Sequence, residues 1–336
     1  MRGAGRDRRR VDVLSLGGTI AMTYGTKGIA PRLTADELTT SVPGLALIAE
    51  VAARSVLTIP SCHLRLEDVV ALAAVVTEAI SSGADGVVVT QGTDTLEETA
   101  YALDLLLPRG APVIVTGALR GADALSADGP ANLTAAVRVA ADPASRFRGV
   151  LAVLNDEVHL ARWVTKTHTS RPNAFASPAA GPVGLVTEDR VQWFWPAPDV
   201  VPTPGPQLEG PLPSVLLVPT WLGDEGTMMK SALSTMPDGL VVEGLGAGHV
   251  PPGLVDPLTH AAATIPTVLT SAVGSGEVHR CTYDYRGSES DLLGRGVLWG
   301  RALPGRKARI LLVIAIASSW SQERLVRLLA EGEDRP

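Results

Sequence analysis

Short apolar runs, each ending in a polar turn, recur along the first half of the chain. VDVLSL (11–16) reads as a strand running into Gly17-Gly18-Thr19. DGVVVTQ (85–91), PVIVTGAL (112–119) and GVLAVLND (149–156) repeat the pattern. Continuous apolar runs of this length suit strands covered on both faces, and hence a parallel sheet. Amphipathic segments lie between them. LTADELTTSVPGL (33–45) starts a helix with Thr34 as its cap and Glu37 three residues on. LEDVVALAAVVTEAI (66–80) carries acidic residues in its first turn, where the helix dipole favours them. Leu96, Ala100, Leu103 and Leu107 share one helical face, with Thr95-x-x-Glu98 as a capping box. GPANLTAAVRVAAD (129–142) places Pro130 near the first position of another helix. The alternation predicts right-handed βαβ units in a doubly wound, mostly parallel α/β domain.

The pattern fails in WPAPDVVPTPGPQLEGPLP (195–213), where seven prolines and little periodicity point to a semi-rigid linker. Apolar runs then resume the α/β pattern: SVLLVPT (214–220), DGLVVEGLGAGHV (238–250), TVLTSAV (267–273) and RILLVIAIA (309–317). The expected organisation is a larger N-terminal domain over 1–195, a linker over 196–212 and a smaller C-terminal α/β domain over 213–336.

Ligands of open α/β sheets bind beyond the carboxyl ends of the strands. Three polar turns stand at such ends: LGGTIA (16–21), TQGTDT (90–95) and TGALRGADALSADG (116–129). Thr95 is accounted for as a helix cap, which leaves Thr93 and Asp94 as site candidates. Gly17 and Gly18 allow a sharp turn and bring backbone amides near a ligand, and Thr19 adds a hydroxyl. A nucleophilic threonine needs a base, an orienting group and an oxyanion site. Lys166, in RWVTKTHTS (162–170), is the candidate base if burial holds it neutral, although a neighbouring Asp94 works against that. Arg120, Asp123, Asp128 and Asn132 read as residues that hold a loop and a helix start.

Composition narrows the field. The chain has 336 residues, 46% hydrophobic, enough for a large core in one or two domains. Its net charge of −6, with no basic face, argues against nucleic-acid binding. No run of about 18 apolar residues exists to span a membrane. MRGAGRDRRR at the start reads as a solvated tail, not an export signal. Two cysteines, Cys62 and Cys281, give no disulfide framework, so a reduced, cytoplasmic protein is expected. The six histidines show no metal-ligand spacing.

The three turns resemble the bacterial-type L-asparaginase family (asparaginase/glutaminase, types I and II). The matching segments are LGGTIA, TQGTDTLEETAYALDLLL, PVIVTGALR followed by SADGPANL, and RGVLAVLND followed by RWVTKTHTS, in the family's order from residue 11 to about 170. Beyond the linker the likeness is mainly GLVVEGLGAGHV and GRKARILL. The resemblance implies amide hydrolysis without a cofactor, through a covalent acyl-enzyme on Thr19. It implies a second group of Thr93, Asp94 and Lys166, with Tyr24 in the role of the mobile-loop tyrosine from a shifted place. Gly18, Ser61, Gly92, Thr93 and Asp94 would bind the substrate, Asp94 taking its α-amino group. Residues 20–32 would close as a lid. It also implies a homo-oligomer, a dimer or tetramer, with each site completed by a neighbour's C-terminal domain.

The sequence departs from the family pattern at several places. Gln91 stands for a histidine, and Cys62 for a glutamine beside Ser61, with His63 as a shifted candidate. His249 stands where a partner would supply asparagine, and the partner's acidic residue falls near Tyr283. Three functions are therefore expected in order: an asparaginase, an amidohydrolase of the same fold with a different primary amide, and a non-catalytic amino-acid-binding or scaffold protein.

Overall fold

The apolar runs of the first half are strands, as read. The computed structural model describes residues 8–25, 28–197, 205–208 and 210–331. The chain divides into two units, Met1–Gly205 and Pro206–Pro336. The first contains β1 (Arg10–Gly17), β2 (Met22–Gly25), β3 (Gly28–Pro31), α1 (Ala35–Thr40), α2 (Leu45–Ile48), β4 (Glu50–Ile59), α3 (Leu66–Ser81), β5 (Gly86–Thr90) and α4 (Leu96–Leu106). It continues through β6 (Val113–Thr116), α5 (Gly129–Ala141), β7 (Val150–Leu154), β8 (Glu157–Leu160), β9 (Thr165–Lys166), β10 (Phe175–Ala176), β11 (Gly184–Thr187) and β12 (Arg190–Trp193). Part of the expected linker, residues 198–204 and 209, lies outside the described residues.

Eight strands form one mixed sheet in the order β12-β11-β8-β7-β6-β5-β1-β4. It is parallel from β4 to β7 and antiparallel from β7 to β12. All residues of β5, β6 and β7 are buried, which explains their unbroken apolar sequence. Val88, Ile114, Leu151 and Val153 meet Leu133, Ala136, Val137 and Ala140 of α5 in one core. The alternate positions Val87 and Val89 turn to the opposite face, where α3 and α4 pack. Each such aliphatic side chain contributes about 1.5–3 kcal/mol on burial.

The second unit contains β13 (Val215–Pro219), α6 (Thr227–Leu233), β14 (Gly239–Gly244), α7 (Val255–Ala262), β15 (Thr267–Ser271), α8 (Glu289–Gly294), β16 (Leu298–Trp299), α9 (Gly305–Ala317) and α10 (Gln322–Glu331). Its sheet runs β13-β14-β15-β16, all parallel. Of the four apolar runs in this half, three hold the strands β13, β14 and β15, and RILLVIAIA does not. It lies within the helix α9, which is apolar on nearly all sides because it is buried among β13, β14 and β15. A helix submerged in a core and a doubly covered strand look alike in sequence.

Two other expectations need correction. The helix begun at Thr34 has its capping box, but it ends at Thr40. Pro43 and the left-handed Gly44 break it, and only the short α2 follows. The capping box at Thr95 does not form. Thr95 occupies the cap position without a side-chain cap bond, and its hydroxyl is used elsewhere.

One contact sets the relation of the first two turns. β1 and β5 are neighbours, with Ser15 opposite Thr90. Past their ends Gly18 adopts φ 79°, ψ −176°, a conformation open essentially to glycine alone. A Cβ there would collide with the backbone of Gly92. The two turns therefore touch backbone to backbone. Gly18→Ala is expected to lower unfolding stability by about 1–3 kcal/mol from strain alone, and more from the collision. Urea unfolding reads this out; a wild-type midpoint would contradict the contact.

Candidate active site

The site is built at the carboxyl ends of β1, β5 and β6. Thr19 opens a single 3-10 turn closed by Ala21 N–H donating to Gly18 O at 2.9 Å. The second turn is clamped from below by Ser61, in a 3-10 turn over Ser61–His63. Ser61 Oγ accepts the Asp94 N–H at 3.2 Å, and Ser61 O accepts from Thr95 Oγ1 at 3.1 Å. Thr95 thus serves the clamp rather than the helix. Ser61 is buried, while its neighbour Cys62 is exposed.

Lys166 enters from β9. Its Nζ donates to Thr93 Oγ1 at 2.9 Å and to Asp94 Oδ1 at 2.8 Å. The Lys166 side chain is 17% exposed and that of Asp94 66%, so the carboxylate faces open space with the ammonium behind it. The Lys166 Nζ stands between Thr93 and Asp94, in reach of both. Thr93, Asp94 and Lys166 thus form one hydrogen-bonded set. Thr19, half-buried, is not hydrogen-bonded to them; the Gly18–Gly92 contact brings its turn alongside.

The third turn is held rigid. Asp128 accepts the N–H groups of Leu119 and Arg120, each at 2.9 Å. Asn132 donates to Gly117 O at 2.9 Å and accepts the Asn155 N–H at 2.9 Å. Arg120 reaches Ser126 O. Arg120, Asp128 and Asn132 thus hold the loop, as expected, while Asp128 makes no side-chain cap bond to α5. The segment expected to close as a lid contains the β2–β3 hairpin, in which Tyr24 pairs with Ile29. The Tyr24 side chain and residues 26–27 lie outside the described part of the chain. Among the described residues no group of three His, Cys, Asp or Glu side chains could hold a metal, and no helix is long and apolar enough to cross a membrane.

In the second unit His249 closes a tight loop, its N–H donating to Leu245 O at 2.9 Å. Its ring meets Tyr283 and Tyr285 edge-on, with centroids 4.8 Å and 5.6 Å away. Its Nε2 stands 3.3 Å from Glu289 Oε2.

The family model described as "Asparaginase, N-terminal" matches residues 10–199, and "Glutaminase/Asparaginase C-terminal domain" matches residues 214–329. The chain belongs to the asparaginase family. The L-asparaginase of Bacillus licheniformis is 33% identical over 318 residues, spanning 92% of this chain and 96% of that one. L-asparaginase 2 of Escherichia coli (strain K12) is 33% identical over 333 residues, spanning 95% of this chain and 92% of that one. The crystal structure of the "Probable Cytoplasmic L-asparaginase from Campylobacter jejuni" superposes with a TM-score of 0.86 at 30% identity, covering 96% of this chain and 99% of that chain.

Two carboxylates of this asparaginase-family chain escape the sequence reading. Glu97, buried in the first turn of α4, accepts the Lys166 N–H at 2.9 Å. Its signal is hidden beside Glu98, which the capping motif claims. Glu289, fully buried, accepts the N–H groups of Thr282 at 2.8 Å and Tyr283 at 3.0 Å. Glu289 thus holds the backbone of the loop that carries Tyr283. Burial alone would push the Glu289 carboxyl up; the N–H donors of Tyr283, Thr282 and its own residue, with His249, outweigh burial and hold it below its ordinary value. A lowered folded value means that the contribution to stability is present above the unfolded value of about 4.3 and is lost as pH falls through the folded one. On acidification below about pH 4.3 the wild type is expected to lose stability more steeply than Glu289→Gln. Parallel stability curves in urea would show that the carboxylate is not held this way.

Proposed function

We propose that the protein is an L-asparaginase, which hydrolyses the side-chain amide of L-asparagine to L-aspartate and ammonia. The observation that carries this reading is the Lys166 Nζ bridging Thr93 and Asp94 beside the Gly18–Gly92 contact, in a chain of the asparaginase family. Relatives named L-asparaginase across nearly the whole length support it. Thr19 is the nucleophile. Its Oγ1 bonds to the amide carbon, the C–N bond breaks, and the leaving nitrogen departs as ammonia with the hydroxyl proton. Water then attacks the acyl ester, the Thr19 C–O bond breaks, and the proton returns to Thr19. Thr93 and Lys166 form the proton path. Backbone amides of the Gly-rich turns supply the oxyanion site. Asp94, mostly exposed, takes the substrate's α-amino group, and Ser61 holds the turn that presents it. Tyr24 is assigned to the lid.

The working form is a homo-oligomer, a dimer or tetramer. Tyr283 and Tyr285 of the second unit are exposed neighbours, with ring centroids 6.0 Å apart, and offer an apolar surface to a second copy. A cytoplasmic location accords with the two free cysteines. A second reading, hydrolysis of a different primary amide, is favoured by the exposed Cys62 next to Ser61 and by Gln91, whose buried Oε1 has no hydrogen-bond partner in the structure.

Wild-type protein is expected to release ammonia from L-asparagine, and Thr19→Ala to lose at least about 1,000-fold in kcat. Equal rates would remove Thr19 from the mechanism. Silence from both, with turnover of another amide in a panel, would establish the second reading.

A further inference from the structure

The lysine of the proposed proton path sits on a poorly anchored element. β9 has two residues and, among the described residues, pairs only with β10, apart from the eight-stranded sheet. A lysine stem is long and flexible, so the place of its ammonium depends on where its backbone is held. Besides the pairing with β10, two contacts hold it, both from one short stretch of chain. Thr93 and Asp94 take the Nζ, and Glu97, three residues further on, takes the backbone N–H of the same lysine through Oε2 at 2.9 Å. Glu97 is buried, and it lies in the first turn of α4, where the helix dipole favours a carboxylate. A charged acceptor makes a stronger hydrogen bond to an amide than a neutral one.

We propose that Glu97 is a positioning residue for Lys166: it fixes the lysine's backbone against the same turn that receives its ammonium, and thereby sets the geometry of the Thr93–Lys166 proton path. The proposal rests on the asparaginase reading. The stretch from Thr93 to Glu97 then works as a two-ended grip, one end on the side chain and one on the backbone. A displacement of about 1 Å at the reacting groups can cost about 100-fold in rate, so a backbone anchor at this place bears on turnover rather than on substrate affinity.

The test uses the full chain with L-asparagine and four variants: Glu97→Ala, Glu97→Gln, Lys166→Met and the Glu97→Ala/Lys166→Met double. Glu97→Ala is expected to lower kcat about 10- to 100-fold with KM nearly unchanged. Glu97→Gln, whose amide oxygen still accepts the N–H, is expected to recover most of the loss. In the Lys166→Met background Glu97→Ala is expected to do nothing further, because the two act through one group. Amide hydrogen exchange at Lys166 gives a readout that needs no turnover: faster in Glu97→Ala, near wild type in Glu97→Gln. The proposal is overturned by unchanged kcat in Glu97→Ala, by full additivity in the double variant, by a Glu97→Gln as poor as Glu97→Ala, or by unchanged exchange. An inactive wild type, or a Lys166→Met with undiminished kcat, fails the asparaginase reading itself; a damaged Lys166→Met beside an intact Glu97→Ala fails only the positioning role.

Discussion

The backbone contact between Gly18 and Gly92 is the constraint on which the rest of the site depends. Parallel pairing of β1 with β5 brings two strand ends side by side, but pairing alone leaves side chains to keep the following turns apart. Gly18 removes that spacer, while Gly92 makes room for Ser61 on its other side. The first turn can then carry Thr19 in beside Thr93 and Asp94. No hydrogen bond joins Thr19 to that pair; proximity is imposed by the absence of a Cβ.

Everything else at the site keeps the second turn in place or delivers a cation to it. Ser61 holds the turn by accepting the Asp94 N–H and the Thr95 hydroxyl. Asp128 and Asn132 fasten the third turn with three bonds to its backbone, and a fourth ties Asn132 to the Asn155 N–H after β7. Polar residues that would be expensive to bury unpaired are thus spent on backbone donors and acceptors. The groups left facing outward, chiefly Asp94, are those a ligand can reach. Rigid turns around one exposed carboxylate suit a reaction in which the substrate must be held while its amide is attacked.

Much of this was legible in the sequence, for identifiable reasons. The strands β1, β5, β6 and β7 announce themselves because both faces are buried. β4, at the sheet edge, alternates exposed and half-buried residues and carries Arg54 in mid-strand, so no apolar run marks it. The short antiparallel strands β8, β11 and β12 are equally silent. α9 reads like a strand because Ile310 to Ala315 are buried without a break, as in a doubly covered strand. Thr93 and Asp94 stand out as polar groups that local structure does not need. The sequence marks Thr95 as a cap, but its hydroxyl donates to Ser61 O, 34 residues away, a contact that only the fold displays. Lys166 could be named as a candidate, but its delivery across 72 residues to Asp94 depends on Glu97 and on the β9–β10 pairing, which only the fold displays.

The central claim is that the turn held by the Gly18–Gly92 contact carries the nucleophile of an amide hydrolysis. The most direct measurement is mass spectrometry of the protein quenched in acid during turnover of L-asparagine, followed by peptide mapping. The account predicts an aspartyl ester on the peptide containing Thr19, at the Thr19 hydroxyl. An ester mapped to Thr93, or turnover with no acyl-enzyme at any hydroxyl, would contradict it.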